Sequence, residues 1–150
     1  NRIHFTPVWF LFDTVITELG FSSTDSDSSA PNTRCGIYGQ GTDGYPDALL
    51  ASTGHIADSG SGSYLETLGS PITLSAGVYW FAIKTGSTTL VLSAVSLSES
   101  GIWGSPIGIN RGANKMRPPY KDGETGAMPS PAGTMSGTLN STSVRVPGFL

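Results

Sequence analysis

Short runs of β-forming residues, separated by turn residues, recur along most of this chain and constrain its fold more than any other feature. Clusters of Gly, Pro, Ser and Asn lie between the runs, and no window combines helical spacing of apolar residues with helix caps. We therefore predict an all-β fold, an antiparallel β-sandwich of the jelly-roll type. The predicted strands are residues 3–11, 14–21, 34–39, 48–56, 64–68, 72–74, 78–84, 88–97 and 138–146.

Side-chain alternation predicts how several of these strands pack. Residues 78–84 are apolar on both faces, which is typical of a central strand covered on two sides. Pro7 indicates that strand 3–11 is bent or lies at a sheet edge. The sequence Gly69-Ser70-Pro71 predicts a turn between two separate strands. In strand 14–21, one face is predicted to carry Val15, Thr17, Leu19 and Phe21.

Residues 99–137 break the strand pattern, because Gly, Pro, Ser and Asn dominate them. An irregular loop of this length in one domain is usually functional or is ordered by a neighbouring subunit. The length of 150 residues fits a single domain over residues 1–150. The chain begins without Met and ends on the apolar stretch 146–150, so we expect a piece of a longer polypeptide.

Composition narrows the classes of function. Charged residues make up 13% of the chain, Gly and Pro number 20 and 10, and the formal net charge is −3. These values argue against a coiled coil, a helical bundle and a nucleic-acid-binding domain. Cys35 has no partner for an internal disulfide, and His4 and His55 lack metal-ligand spacing. No apolar run reaches the ~18 residues of a membrane span, so we expect no cofactor and no membrane insertion.

Two stretches resemble a known group of proteins. Residues 35–50 (CGIYGQGTDGYPDALL) and residues 74–83 (LSAGVYWFAI) are similar to β-sandwich modules of bacteriophage tail-fibre, tail-tip and head-fibre proteins. The resemblance covers residues 3–97, and residues 144–147 look like the last strand of such modules. It implies a location on the virion surface, other virion proteins as partners, and a homo-oligomer such as a trimer. It supplies no catalytic residue.

Such a module could bind sugars through aromatic side chains in its loops, because rigid rings give contact area at little entropic cost. The loop aromatics are Tyr45, Trp103 and Tyr120. Each has a structural alternative: Tyr45 could pack within its turn, and Trp103 could anchor the long loop. Tyr120 follows Arg117-Pro118-Pro119 in a polar stretch, so we predict it to be the most exposed of the three.

The long loop also concentrates positive charge. Arg111, Lys115, Arg117 and Lys121 lie close together, and no acidic residue occurs between residues 101 and 121. Such a loop could hold an anionic polysaccharide or an acidic patch of a partner protein, or it could be only a solvated surface. The predicted ligand-binding residues are therefore Tyr45, Trp103, Arg111, Lys115, Arg117 and Tyr120.

Acidic residues offer weaker alternatives. Asp25, Asp27, Asp43 and Asp47 fall in predicted loops, but they lack the further ligands of a calcium loop. Nothing in the spacing of Asp43, Asp47 and Glu66 selects a pair of glycosidase carboxylates. We expect a non-enzymatic fibre module that recognises a host cell-surface polysaccharide. The alternative is a structural virion component whose long loop docks on a neighbouring subunit.

Overall fold

The computed structural model describes residues 2–23, 33–57, 60–85 and 119–138, and these ranges contain β-strands and no helix. The predicted strand 88–97 lies outside the described residues, as does the predicted strand 138–146 beyond Thr138. The described strands are β1 (Arg2–Phe10), β2 (Thr14–Ser23), β3 (Arg34–Gln40), β4 (Pro46–Ser52), β5 (Gly62–Leu74), β6 (Gly77–Thr85), β7 (Pro119–Asp122) and β8 (Gly137–Thr138).

These strands form two antiparallel sheets that pack together as a β-sandwich. The larger sheet has six strands in the order β4-β3-β6-β1-β7-β8, and the smaller sheet pairs β2 with β5. The predicted all-β sandwich is confirmed, whereas the jelly-roll topology stays a prediction. β6 lies between β3 and β1, so its predicted central place is also confirmed.

The core between the two sheets is formed by one face of the six-stranded sheet and the inner face of the β2–β5 pair. Phe81 and Ile83 of β6 meet Leu19 and Phe21 of β2 there. The ring of Phe21 stacks on Tyr64 of β5 with 5.3 Å between the ring centroids. That stacking lies within the small sheet, whereas the packing of Phe81 and Ile83 on Leu19 and Phe21 holds the small sheet against the large one.

The opposite face of the six-stranded sheet is covered by residues 123–136, which we call the covering segment. Ile3, Phe5, Tyr38 and Trp80 of the sheet are buried beneath it. The apolar contacts of the segment itself come from Met128, Ala132 and Met135. The predicted irregular loop 99–137 is thus, in its described part, an integral layer of the domain, flanked by the short strands β7 and β8.

Hydrogen bonds from several strands hold the covering segment in place. The Tyr38 hydroxyl donates to the Pro129 carbonyl at 2.9 Å, and the Ala132 amide donates to the Asp47 carbonyl at 2.7 Å. The fully buried Lys84 donates through Nζ to the Gly126 carbonyl at 2.6 Å. Since β4, where Asp47 lies, is the far edge strand, the segment crosses the whole sheet from β7 to β4.

The pairing of β2 with β5 corrects two predictions. The predicted turn at residues 69–71 is wrong, because β5 continues through it as one strand from Gly62 to Leu74. Ile16 pairs with Ile72 and Glu18 with Thr67, so residues 68–71 bulge opposite Thr17. The bulge reverses the alternation of β2: Val15 is exposed and Ile16 faces the core, contrary to the predicted face.

Pro7 lies where β1 has a strand on only one side among the described residues. β1 pairs with β6 along its whole length, but with β7 only over Arg2, Ile3 and His4. Pro7 has no N–H to donate, so the half of β1 without a second neighbour accommodates it. β1 as a whole is not an edge strand, because it lies between β6 and β7, and only its half with Pro7 lacks a second neighbour among the described residues.

Candidate functional site

Three turns meet at one end of the sandwich, which we call the turn end. The register pairs Phe10 with Gly77, Gly39 with Tyr79, and Thr14 with Leu74. The ends of β1, β3 and β5 therefore lie level with the starts of β2, β4 and β6. The connecting turns are residues 11–13, 41–45 and 75–76.

An open cleft of about 710 Å³ lies between the two sheets at the turn end. One wall is Gly39, Gln40 and Leu50 of β3 and β4, and the other includes Ile72 and Leu74 of β5. Residues 73, 75 and 77–79 complete the lining. All of these residues except Ile72 and Thr73 come from stretches 35–50 and 74–83.

Tyr79 is the aromatic residue of this cleft, and glycines leave it uncovered on two sides. Gly39 lies directly across from it on β3, and Gly77 precedes it by two residues on the same face of β6. A Cβ at Gly77 would stand 3.7 Å from the Tyr79 ring, so any side chain there would cover part of the ring. The glycines thus create the space that other residue types would fill.

The Tyr79 ring is held in position from its remaining sides. Its hydroxyl donates to the Ser75 carbonyl at 3.1 Å. The ring of Phe10 meets it edge-on with 5.8 Å between centroids. A fixed, partly buried ring next to open space is the usual form of an aromatic binding platform.

Large apolar side chains are exposed in and before the first turn. Phe12 is 76% and Leu11 64% exposed in the turn, and Trp9, near the end of β1, is 51% exposed. Thr14 donates through its hydroxyl to the Phe12 carbonyl at 2.9 Å, and the Ala76 amide donates to the Asp13 carboxylate at 3.0 Å. These two bonds order the turn, so the exposed side chains are presented on a defined backbone.

Tyr45, the first predicted sugar-binding aromatic, lies in the second turn and is 45% exposed. Its amide donates to Asp43 Oδ1 at 3.0 Å, and its carbonyl accepts from the Gly41 amide at 2.7 Å. Gly44 completes the turn at a φ of 84°. The turn is built by backbone groups and Asp43, which leaves the Tyr45 ring accessible to a ligand, although it does not line the cleft.

Tyr120, predicted to be the most exposed aromatic, lies in β7 and is partly buried. The guanidinium of Arg2 stands 4.3 Å from its ring centroid, and Arg2 also binds the Asp122 carboxylate. A Cβ at Gly137 of β8 would come within 2.9 Å of the Tyr120 hydroxyl. One ring face is therefore covered by Arg2, so that face does not offer a sugar platform.

The structure does not bring Tyr45 and Tyr120 together. Tyr45 follows β3 near the β4 edge of the six-stranded sheet, whereas Tyr120 belongs to β7 near the other edge. The strand spacing puts β4 and β7 roughly 19 Å apart. Tyr120 also pairs with His4, in the half of the sheet away from the turn end. The two side chains cannot share one sugar ring.

Most of the predicted basic cluster lies outside the described residues, namely Arg111, Lys115 and Arg117, as does the predicted sugar-binding Trp103. Lys121 of that cluster is described, and it serves the fold. Its Nζ donates to the Ala132 carbonyl at 2.7 Å and pairs with Glu124 at 2.9 Å. Lys121 therefore helps to fix the covering segment, and its charge is offset locally.

Charge is unevenly distributed among the described residues. The described Lys and Arg residues are Arg2, Arg34, Lys84 and Lys121. The strand register places all four at the end of the six-stranded sheet away from the turns. Asp13 and Asp43 lie in the turns at the opposite end. The turn end within the described ranges thus combines apolar, aromatic and acidic groups without a cation.

Reactive groups in the described ranges take structural positions. The Cys35 side chain is fully buried, and burial raises the pKa of its thiol. Burial also raises the pKa of Tyr38, whose hydroxyl bonds to the covering segment. The Asp43 carboxylate accepts a hydrogen bond from the Tyr45 amide, and Glu66 lies in β5 of the smaller sheet. No group of three His, Cys, Asp or Glu residues within the described part of the chain is arranged to hold a metal ion.

Sequence reasoning missed the cleft and its central residue, Tyr79. The pairing of Gly39 with Tyr79 joins distant parts of the chain, so no local pattern reveals it.

Comparisons of this chain with protein-family models, with curated proteins and with solved structures found no match. Among the described residues, no helix has the length and apolar character needed to cross a membrane.

Proposed function

We propose that this domain is a non-enzymatic binding module of a phage virion fibre, and that it recognises a glycan on the host cell surface. The observation that carries the proposal is the open cleft at the turn end, with the fixed ring of Tyr79 in its wall. Most of its lining comes from the two stretches that resemble fibre modules. The cleft therefore links the proposed setting with a surface suited to sugars.

The physical chemistry of such a site matches attachment by many weak contacts. A shallow, open cleft buries only part of a sugar and gives low affinity at one site. Several copies on one fibre raise the effective concentration and convert weak contacts into firm attachment. Strands support the site on both sides, so little ordering of the protein accompanies binding.

The test is binding of the labelled domain, multimerised on a streptavidin scaffold, to candidate host cells. The same cells, stripped of surface polysaccharide, provide the matched comparison. Saturable binding that disappears on stripping is the expected result. Binding that survives complete stripping, or no binding to any of the cells, would contradict glycan recognition.

A second candidate function is favoured by the exposed apolar turn. Leu11 and Phe12 expose large apolar side chains next to each other in the chain, and exposed apolar patches mark contacts with other proteins. In this function the module is a structural component of the virion that docks on a neighbouring subunit through Leu11 and Phe12. The double variant Leu11→Ser/Phe12→Ser tests it: the expected result is a folded domain that no longer enters the virion, and normal assembly of the variant would contradict this function.

A further inference from the structure

We propose that the cleft beside Tyr79 is the sugar-binding site and that it takes an uncharged sugar unit. This inference rests on the proposed glycan recognition and adds the location of the site and the class of sugar. The sugar-binding site is thereby placed in the cleft and not in the basic loop, whose positive charge favours an anionic polysaccharide.

The shape of the cleft depends on two missing side chains. Gly39 and Gly77 flank Tyr79 across the strand pair and along the strand. A Cβ at Gly39 would lie 4.0 Å from Leu50, and one at Gly77 would lie 3.7 Å from the Tyr79 ring. These are ordinary contact distances, so a Cβ at either position meets no clash, and a larger side chain there would occupy space beside the Tyr79 ring.

The polar groups around the ring suit hydroxyl recognition. Gln40, Thr73 and Ser75 are among the residues that line the cleft, and polar residues of these types can donate and accept hydrogen bonds. Tyr79 supplies a flat ring for the C–H face of a pyranose, and Leu50 supplies apolar contact. A sugar combines one apolar face with several hydroxyls, so its chemistry matches both parts of this lining.

The electrostatics select against a charged sugar. None of the residues that line the cleft is Lys, Arg, Asp, Glu or His. The nearby turns contribute Asp13 and Asp43, and the described cations lie toward the other end of the sheet. A carboxylate on the ligand would lose hydration without gaining a cation partner among the described residues.

The test uses glycine-to-valine variants on two neighbouring strands, each of which adds a side chain next to the Tyr79 ring. Gly77→Val and Gly39→Val are compared with Gly54→Val, whose site has no neighbour within 4 Å and follows β4. All variants are multimerised and applied to an array of uncharged hexose and N-acetylhexosamine oligomers and of uronate- or sialate-containing oligomers. Thermal melting of each variant establishes that it is folded.

The expected result is saturable binding to an uncharged oligomer that weakens at least roughly tenfold, about 1.4 kcal/mol, in both cleft variants. Gly54→Val should bind like the parent. Should one cleft variant fail to fold, the other and Tyr79→Leu, which keeps apolar volume, carry the test.

Other outcomes overturn the inference in distinguishable ways. Uncharged-sugar binding that survives both glycine substitutions moves the site away from Tyr79 and leaves glycan recognition standing. Binding confined to uronate or sialate oligomers overturns the uncharged specificity alone. Absence of binding to every oligomer, together with absence of binding to host cells, overturns the proposed function and the site with it.

Discussion

Tyr38 and Tyr79 occupy neighbouring strands of one sheet, one register position apart, and meet different surroundings. Tyr38 pairs with Trp80, and Tyr79 pairs with Gly39, so their side chains project from opposite faces. The covering segment buries Tyr38, whose hydroxyl donates a hydrogen bond to the Pro129 carbonyl. Tyr79 faces an open cleft between the two sheets, because the flanking Gly39 and Gly77 have no side chains to cover it. Whether an aromatic residue of a strand is buried in the core or open to a cleft therefore depends on which neighbouring groups cover its ring.

The largest expected effect tests this comparison directly. Tyr38→Ala should lower the free energy of unfolding by about 3–5 kcal/mol, because it opens a cavity in a sealed core and frees the Pro129 carbonyl. Tyr79→Ala should cost less than about 1.5 kcal/mol, since that ring is only partly buried. Urea unfolding of both variants measures the difference. Similar losses would show that the two faces are equally packed and would break the comparison.

The second prediction concerns the lysine that ties the covering segment to the sealed face. Lys84 is fully buried, and its Nζ contacts the carbonyls of Gly126 and Ala127. Lys84→Met keeps the stem and removes the donor, so we expect a loss of about 1–3 kcal/mol from the unsatisfied carbonyls. Urea unfolding measures it, with Lys121→Met, a more exposed anchor, as control. A larger loss in the control would place the main anchor at β7.

The third prediction uses pH to probe the sealed core. Burial raises the pKa of Cys35 above its ordinary value of 9.0. Above that pH the unfolded chain releases the thiol proton while the folded chain keeps it, so the folded state binds more protons and stability falls as pH rises. We expect Cys35 to contribute a loss of about 1.4 kcal/mol per pH unit in this range.

The difference between the parent and Cys35→Ala isolates that contribution. Burial raises the pKa of Tyr38, which adds a loss of the same sign from its ordinary value of 10.0 upward. Burial and then Arg34 lower the pKa of Lys84, which gives a gain as pH rises toward 10.5. The contributions of Tyr38 and Lys84 are the same in the parent and in Cys35→Ala, so they cancel in the difference between the two proteins. Unfolding curves with the same pH slope in both would mean that solvent reaches the thiol.

The sealed face also shows which parts of the fold are readable from sequence. The strand pattern and the two apolar faces of β6 follow from local alternation, and the structure confirms them. The Gly69-Ser70-Pro71 stretch carries strong turn chemistry, yet pairing with β2 draws it into one bulged strand. The covering segment was not predictable as a layer, because Met128 and Ala132 are isolated apolar residues among Gly and Pro.

The candidate site depends even more on long-range geometry. Tyr45 is a candidate sugar-binding residue because it lies in a turn with an Asp and a Gly, and this turn is recognisable from the local sequence. The role of Tyr79 depends on Gly39 lying beside it, and that follows only once the register of β3 and β6 is known. Tyr120 was predicted to be exposed, but Arg2, from the other end of the chain, covers one face of its ring.

The smallest expected effect sharpens the comparison at the edge of the sealed face. Tyr120→Ala removes the ring beneath Arg2 and should lower the free energy of unfolding by about 0.5–1 kcal/mol, since the Arg2–Asp122 pair persists. Sugar binding should be unchanged, because β7 lies across the sheet from the cleft. Urea unfolding and the oligosaccharide array measure the two properties on the same preparation, with Tyr45→Ala as the turn-end counterpart. A Tyr120→Ala protein of unaltered stability that no longer binds sugar would place the recognition surface near β7. The sealed face of the sheet would then carry the binding site, and the contrast between a structural face and a functional turn end would be wrong.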